Sequence, residues 1–396
     1  METELKILLD AAVEAAIASS GILGEATRAA RRPQNLVSVY YDTPGRDLSK
    51  AGIALRVRRR GRQWIQTVKR SRTGIRAGLS VPEELEFPVP SAAPVLDEPA
   101  GDALLRAVRK RLKGAAPLPV FETRMKRELH ELDLPQGRVE IAIDRGEIVA
   151  GRRRAPLAEL EIELKSGSVT AVFEAARRLL PHGPVRFSTL SKAARGFRLV
   201  ETGCAVPRLT PRAAGRADYP GGATVEQAAQ ELMRDCLDQI AANMSVIAAG
   251  EDPEGPHQLR IGLRRLRTVL KLFGPDLGKA ALRPFRDRAR EIGRRVGALR
   301  DLDVLAGEIL PRHLPGLADG AAAERLAGML EARRQAARAA LREWLAGREA
   351  VHFLFDLGEF IEISGWRNAA QPERDATPDR PVAERAAKSM EMLHAR

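Results

Sequence analysis

The sequence predicts an α+β protein in which a strand-rich first half is followed by an all-helical second half. Over residues 1–200, short segments alternate between apolar and charged side chains, which is the period of a strand with one buried face. A stretch rich in Pro, Gly and Arg follows at residues 201–222. Beyond it, apolar residues recur at helical spacing. We therefore expect a first domain at 1–200, a linker at 201–222 and a helical domain at 223–396.

Composition narrows the class of partner. The chain has 396 residues and a formal net charge of +13, which predicts an anionic partner: nucleic acid, a membrane surface or a free polyanion. Aromatic residues make up only 4%, and helix-turn-helix and zinc-finger patterns are missing, which argues against nucleic acid. The two cysteines, Cys204 and Cys236, lack metal-ligand spacing. Without a signal peptide or a long apolar run, we expect a cytoplasmic protein with no membrane partner.

The elements of the first half begin with a strand whose face carries Glu2, Glu4 and Lys6. A helix over residues 8–19 follows, and Gly21 ends it. The later predicted strands are residues 36–41, 54–60, 64–70, 84–88, 121–132, 138–144 and 158–165. The later predicted helices are residues 102–112 and 169–180.

The polar faces of these strands are dense in ionic residues rather than in Ser and Thr. They carry Arg56, Arg58, Arg60, Lys69, Glu84, Glu86, Arg124, Lys126, Arg127, Glu140, Asp144, Glu159, Glu161, Glu163 and Lys165. Such a sheet can stay open with its charged face in water, or close with that face inside. Enclosed charges require partners. Carboxylates bind Mg²⁺ or Mn²⁺, and Arg and Lys bind phosphate oxygens, so the residues point to a metal–polyphosphate tunnel, with an open sheet whose charged face is solvated as the alternative.

Seven segments, in order, carry a family resemblance. Residues 2–6, ETELK, resemble the ExExK signature of the CYTH (triphosphate tunnel metalloenzyme) family. The segments similar to its later motifs are YYDTP (40–44), ALRVR (54–58), QTVK (66–69), VEIAIDRG (139–146), ELEIELKSG (159–167) and SKAARG (191–196). The resemblance implies an eight-stranded antiparallel barrel around a charged tunnel, with metal-dependent chemistry on triphosphates. It favours inorganic triphosphate as substrate, with adenylate cyclase or thiamine triphosphatase activity as alternatives.

The resemblance also implies roles for individual residues. The metal-binding carboxylates would be Glu2, Glu4, Glu161 and Glu163, with Mg²⁺ or Mn²⁺ as the cofactor. Glu140 and Asp144 would position a metal or the attacking water, and would form the catalytic set with Glu2, Glu4 and Lys6. The phosphate-binding residues would be Lys6, Arg56, Arg58, Lys69, Lys192 and Arg124 or Arg127. Those last two alternate along one strand, so at most one should face the tunnel.

One position departs from the family pattern. The family commonly has Arg two residues before the acidic pair that matches Glu84 and Glu86, and this chain has Pro82 there. A phosphate contact would then be missing, unless Arg76 replaces it.

The helical half opens with Thr224, a predicted N-cap for a helix that ends near residue 249. The next helix, predicted to start at Pro256, carries a basic stripe. Its members are His257, Arg260, Arg264, Arg267 and Lys271, at spacings of three and four. The stripe either is a solvated face or binds an anion, and His257 either contacts that anion or caps the stripe. A further helix is expected at residues 286–305.

Two segments of this half resemble the CHAD domain: HQLRIGLRRLR (257–267) and ALRDLDVL (298–305). The resemblance implies two four-helix bundles and binding of inorganic polyphosphate, with Arg300 extending the basic stripe. Because a further His/Arg-rich helix is missing before Arg396, either the sequence is truncated or the second bundle is incomplete. Together the halves predict a triphosphatase that binds polyphosphate, located at polyphosphate granules. The alternative is a non-catalytic polyphosphate-binding protein whose tunnel is idle.

Overall fold

The computed structural model describes residues 3–25, 31–71, 74–97, 101–216, 219, 221–313, 320–368 and 378–386. The chain divides into two compact units. The first comprises Met1–Leu179 and Phe187–Arg208, and the second comprises Leu180–Arg186 and Leu209–Arg396. The predicted linker at 201–222 overlaps the end of the first unit. Across these described ranges, none of the helices combines the length and apolarity needed to span a membrane.

The first unit is built on one antiparallel sheet. Its strands are β1 (Thr3–Leu8), β2 (Arg31–Asp42), β3 (Ile53–Arg60), β4 (Gln63–Arg70), β5 (Leu79–Ser80), β6 (Glu83–Val89), β7 (Leu118–Leu134), β8 (Gly137–Ala150) and β9 (Arg153–Gly167). They pair in the order β5-β1-β9-β8-β7-β2-β3-β4-β6. The predicted α+β class and antiparallel sheet are confirmed. The described residues form nine strands rather than eight, because the two-residue β5 adds a strand beside β1.

The edges of this sheet are close in sequence. Only Val81 and Pro82 separate the edge strands β5 and β6, so the sheet must curl until its edges meet. Curling gives the sheet a concave face and a convex face. Because side chains alternate along each strand, the charged set faces inward and the apolar set outward.

The convex face is covered by helices. They are α1 (Ala11–Ser20), α2 (Ala103–Leu112) and α3 (Thr170–Leu179). A fourth helix, α4 (Lys192–Thr202), packs on the concave side instead, where its Ala193 and Phe197 line the cavity. For example, Leu105 and Val108 of α2 form a buried cluster with Leu55 and Val57 of β3. Asp102 caps α2 by accepting hydrogen bonds from the backbone N–H groups of Leu104 and Leu105.

Helix α4 holds a lysine against the interior of the sheet. Ser191 caps the helix, and Lys192 is its first residue. Gly196 lies against the ring of Phe121, where an added Cβ would come 1.9 Å from a ring carbon. This close approach explains the glycine at the end of SKAARG, and it brings Lys192 within reach of the strands.

The second unit is helical in all its described regular elements. They are α5 (Val225–Ala249), α6 (Glu254–Leu272), α7 (Gly274–Leu277), α8 (Lys279–Val304), α9 (Leu310–His313), α10 (Gly320–Leu345) and α11 (Arg348–Glu362). Thr224 caps α5 as predicted, in a capping box with Gln227. The buried leucines of α6, such as Leu259 and Leu263, turn its other face to solvent.

Candidate active site

The concave face of the sheet encloses a cavity of about 810 Å³. Its charged lining residues are Glu4, Lys6, Arg56, Arg58, Arg60, Lys69, Glu84, Glu86, Arg127, Glu140, Glu161, Glu163, Lys165 and Lys192. The strand order places many of the negative and positive side chains on different parts of the cavity wall. Neighbouring strands β1, β9 and β8 supply most of the carboxylates, and β3 supplies three of the arginines.

Glu161 lies at the centre of an ion-pair network. Its Oε1 is 2.7 Å from Lys6 Nζ and 2.6 Å from Lys192 Nζ. Its Oε2 accepts a hydrogen bond of 2.7 Å from Arg127. Burial alone would raise the pKa of Glu161, but these three cations hold it well below its ordinary value. Both carboxylate oxygens of Glu161 thus contact cationic side chains in this structure. The metal-binding role predicted for Glu161 stays a prediction.

Lys192 joins two further buried carboxylates to the network. Its ammonium lies 2.9 Å from both Asp144 and Glu159, which are fully buried. The contact to Glu159 has the distance of an ion pair without the angle of a hydrogen bond. Asp144 also accepts two hydrogen bonds from Arg127, at 2.7 and 2.6 Å. Asp144 is absent from the cavity lining and holds Arg127 and Lys192 in place, while its predicted role in positioning a metal or water stays a prediction.

Three carboxylates stand in a row across the acidic wall, which we call the carboxylate row. Glu4 on β1 is opposite Glu163 on β9, and Glu163 is opposite Glu140 on β8. Opposed pairs have Cβ atoms about 5 Å apart, and like charges at this distance repel unless a cation lies between them. Lys6 pairs with Glu4 at 3.0 Å, and Lys165 pairs with Glu163 at 2.7 Å.

The carboxylate row fits a divalent cation that is shared with substrate. Within the described ranges, no three acidic, histidine or cysteine side chains converge on one point as a closed metal site. Mg²⁺ does not need such a cage, since it is usually held by one or two carboxylates together with substrate phosphates. Glu2, predicted to belong to the same set, lies outside the described residues.

The opposite wall of the cavity presents guanidinium groups, and some of their N–H groups have no acceptor among the described residues. Arg56 Nε and Arg58 Nη2 are buried and have no hydrogen-bond partner among the described residues. Burial and the neighbouring guanidiniums of Arg56 and Arg127 lower the pKa of Arg58 to about 9. Burial would raise the pKa of Tyr40, but Arg56 and Arg58 lower it. Concentrated positive charge with free donors is what phosphate oxygens require.

The structure separates the two arginines that the sequence left as alternatives. Arg127 lines the cavity. Arg124 is exposed and pairs with Glu122, so its assignment as a phosphate-binding residue is wrong. The alternation of β7 is the cause, since residues 124 and 127 point to opposite faces. Pro82 lines the cavity, and Arg76 is absent from its lining.

Sequence reasoning missed two cavity residues. Tyr40 was part of a matched motif but received no role, yet it lies opposite Arg56 in register. The sequence puts Lys165 on the acidic face but indicates no function for it. The sequence alone does not assign a role to either residue, because cross-strand neighbours are known only once the register is known.

The second unit presents the predicted basic stripe on α6. Arg260, Arg264 and Lys271 are exposed, while His257 and Arg267 are half-buried. Arg260 pairs with Asp301 of α8 at 3.1 Å, and Arg300 pairs with Glu308 at 3.2 Å. Arg260 therefore has an acidic neighbour from another helix, which the spacing on α6 alone does not reveal.

A fall in pH should lower the free energy of unfolding of the first unit. The ordinary pKa values of Glu4 and Glu161 (4.5) and Asp144 (3.8) are all lowered in the folded protein. Their contribution to stability is then complete above about pH 5 and is lost as the pH falls through the lowered values. We expect the urea midpoint to hold from pH 7 to about 5.5 and to drop below about pH 4. An Asp144→Asn variant should lose part of this dependence, and an unchanged midpoint at pH 3.5 would contradict the network.

The comparisons with known proteins agree with these features. Family profiles match the CYTH domain at residues 1–197 and the CHAD domain at residues 231–396. An inorganic triphosphatase of Haemophilus influenzae is 32% identical over 170 residues, covering 42% of this chain and 47% of that protein. The chain thus matches about half the length of this curated relative.

Two solved structures show weaker likenesses. One is a Hippeastrum protein described as an adenylyl cyclase with dominant triphosphatase activity, 19% identical, with a TM-score of 0.39 over 52% of this chain and 98% of that chain. The other is the CHAD domain of Ricinus communis, 27% identical, with a TM-score of 0.39 over 47% of this chain and 58% of that chain. From the two family matches, the chain carries a CYTH domain followed by a CHAD domain.

Proposed function

We propose that the CYTH domain hydrolyses inorganic triphosphate to diphosphate and phosphate with Mg²⁺ or Mn²⁺, and that the CHAD domain binds inorganic polyphosphate. The observation that carries the enzymatic half is the pairing of free, buried guanidinium donors with a carboxylate row in one cavity. A cavity that only bound a polyanion would gain nothing from the carboxylates. The curated relative named as an inorganic triphosphatase supports this substrate.

In this mechanism the cations bind and orient the phosphate chain. Arg56 and Arg58 donate hydrogen bonds from β3, and Arg127 donates from β7 while Asp144 fixes its orientation. Glu4 and Glu163 would hold a divalent cation, as Mg²⁺ is held by carboxylates together with substrate phosphates in such sites. That cation would supply positive charge to offset the negative charge of the triphosphate during attack by water. Glu140 orients the water, because it lines the cavity and its pair with Lys165 is loose, at 3.6 Å.

The direct test is phosphate release by the intact chain. We expect release from inorganic triphosphate with Mg²⁺ or Mn²⁺ and none with EDTA. ATP and thiamine triphosphate, tested under the same conditions, distinguish the alternative activities of the family. No release from any of the three would contradict the enzymatic proposal. Pro82, at the position of the expected arginine, would then support the second candidate, a polyphosphate-binding protein with an idle cavity.

The polyphosphate half has its own test. Replacing the exposed Arg264 by Ala should weaken binding of polyphosphate to the intact chain at every ionic strength. It should also reduce the log–log salt slope by about 1, as expected for one lost phosphate contact. Arg283→Ala on α8 removes an equally exposed arginine outside the stripe and should change neither value. Equal effects of the two variants would show that the stripe is a solvated face and not a polyphosphate-binding surface. Binding through the stripe would place the protein at polyphosphate granules.

A further inference from the structure

Lys165 lies where the pairing of β8 with β9 slips by one residue. Arg138 pairs with Ser166 and Val139 pairs with Leu164, so Lys165 is the extra residue on β9. A bulge of this kind bends the strand locally. Lys165 lies on the same face of β9 as Glu161 and Glu163, and it lines the cavity with them.

The Lys165 ammonium bridges two members of the carboxylate row. It lies 2.7 Å from Glu163 Oε1 and 3.6 Å from Glu140 Oε1. Because Glu163 and Glu140 are opposite in register, their charges would repel without a cation between them. Lys165 thus occupies the position at which charge balance demands a cation.

Solvent exposure distinguishes Lys165 from the other lysine of this wall. The side chain of Lys165 is 38% exposed, whereas that of Lys6 is 7% exposed. An ammonium at the rim can move into water with little desolvation, while a buried one is held by its partners. Lys165 is therefore the cation of this wall that can leave.

We propose that Lys165 is an internal counter-ion that occupies the carboxylate row in the metal-free enzyme and is displaced when a divalent cation binds. This role rests on the proposed function, and it makes Lys165 a positioning residue, not a catalytic one. Two consequences follow. Metal affinity is set by competition with the ammonium, and the metal-free protein depends on Lys165 for stability.

The test measures Mn²⁺ binding to the intact chain by the loss of the free-ion EPR signal, without substrate. Lys165→Met should bind Mn²⁺ about tenfold more tightly, which corresponds to about 1.4 kcal/mol. Its melting temperature should fall without metal and recover with Mn²⁺. Lys165→Arg should resemble wild type. Lys126→Met, which removes an exposed lysine from the opposite face of β7, controls for the change in net charge.

The outcomes separate this inference from the proposed function. Equal or weaker Mn²⁺ binding by Lys165→Met, in a protein whose wild type hydrolyses triphosphate with Mn²⁺, would overturn the counter-ion role and leave the activity standing. An equal gain in Lys126→Met would also overturn it, because the effect would then be one of net charge. Wild-type protein that neither binds Mn²⁺ in a Glu163-dependent way nor hydrolyses triphosphate would overturn both.

Discussion

Glu4→Gln should lower kcat/KM for inorganic triphosphate by about 10³-fold, since a metal site supplies several kcal/mol of transition-state stabilisation. The substitution keeps the shape of the side chain and the oxygen that accepts the 2.9 Å hydrogen bond from Ser80. It removes one charge from the carboxylate row. We therefore expect weaker Mn²⁺ binding together with the loss of activity, measured by EPR and by phosphate release.

A matched control separates this effect from a general loss of charge. Glu122→Gln removes a carboxylate that pairs with the exposed Arg124 on the opposite side of β7. This variant should retain wild-type activity. Full activity in Glu4→Gln would show that the carboxylate row is not where the reaction occurs.

Lys192→Met should destabilise the first unit by about 3–5 kcal/mol, the usual effect of removing one partner from a buried ion pair. The ammonium contacts three carboxylates, and two of them, Asp144 and Glu159, are fully buried. Asp144 keeps Arg127 as a partner. For Glu159, the described residues provide no hydrogen-bond donor to either oxygen, so this carboxylate would lose the cation that it contacts in the interior.

The measurement is the urea midpoint of the intact chain, followed by fluorescence of Trp64 in a background where Trp344 and Trp366 of the second unit are replaced by Phe. Lys126→Met should leave the midpoint unchanged. The double variant Lys192→Met/Glu159→Gln should recover part of the stability, because it also removes the isolated charge. A loss below about 1 kcal/mol for the single variant would mean that water reaches Glu159.

Much of this architecture is readable in the sequence, because alternation in a strand reports which face is buried. The strand around Arg56 and the capped helix after Thr224 lie close to the bounds that the sequence predicts. Strands β7, β8 and β9 extend further than predicted. In β8 the added residues begin with Arg145, Gly146 and Glu147, which offer no apolar side chain to either face, so pairing of the backbone continues where the alternating signal stops.

The different roles of the charged residues, in contrast, cannot be predicted from alternation. Sequence spacing placed Glu161, Glu163 and Asp144 together as acidic residues of one face. Register distinguishes them: Glu161 and Asp144 serve as partners for buried cations, while Glu163 stands in the open row beside Glu4 and Glu140. The two-residue strand β5 is too short for any periodic signal.

The pairing of β1 with β9 constrains how the protein is made. Thr3 pairs with Leu164 and Leu8 pairs with Glu159. Because β1 precedes β9 in the chain by about 150 residues, β1 cannot form these pairs until β9 has been synthesised. During that interval its apolar side chains have no place to pack, and contacts between such distant residues form slowly. The carboxylate wall consists of these late-joining strands. A nascent chain that ends before residue 159 therefore lacks Glu161 and Glu163, and the cavity is complete only after both β9 and the later helix α4, which supplies Lys192, have been added.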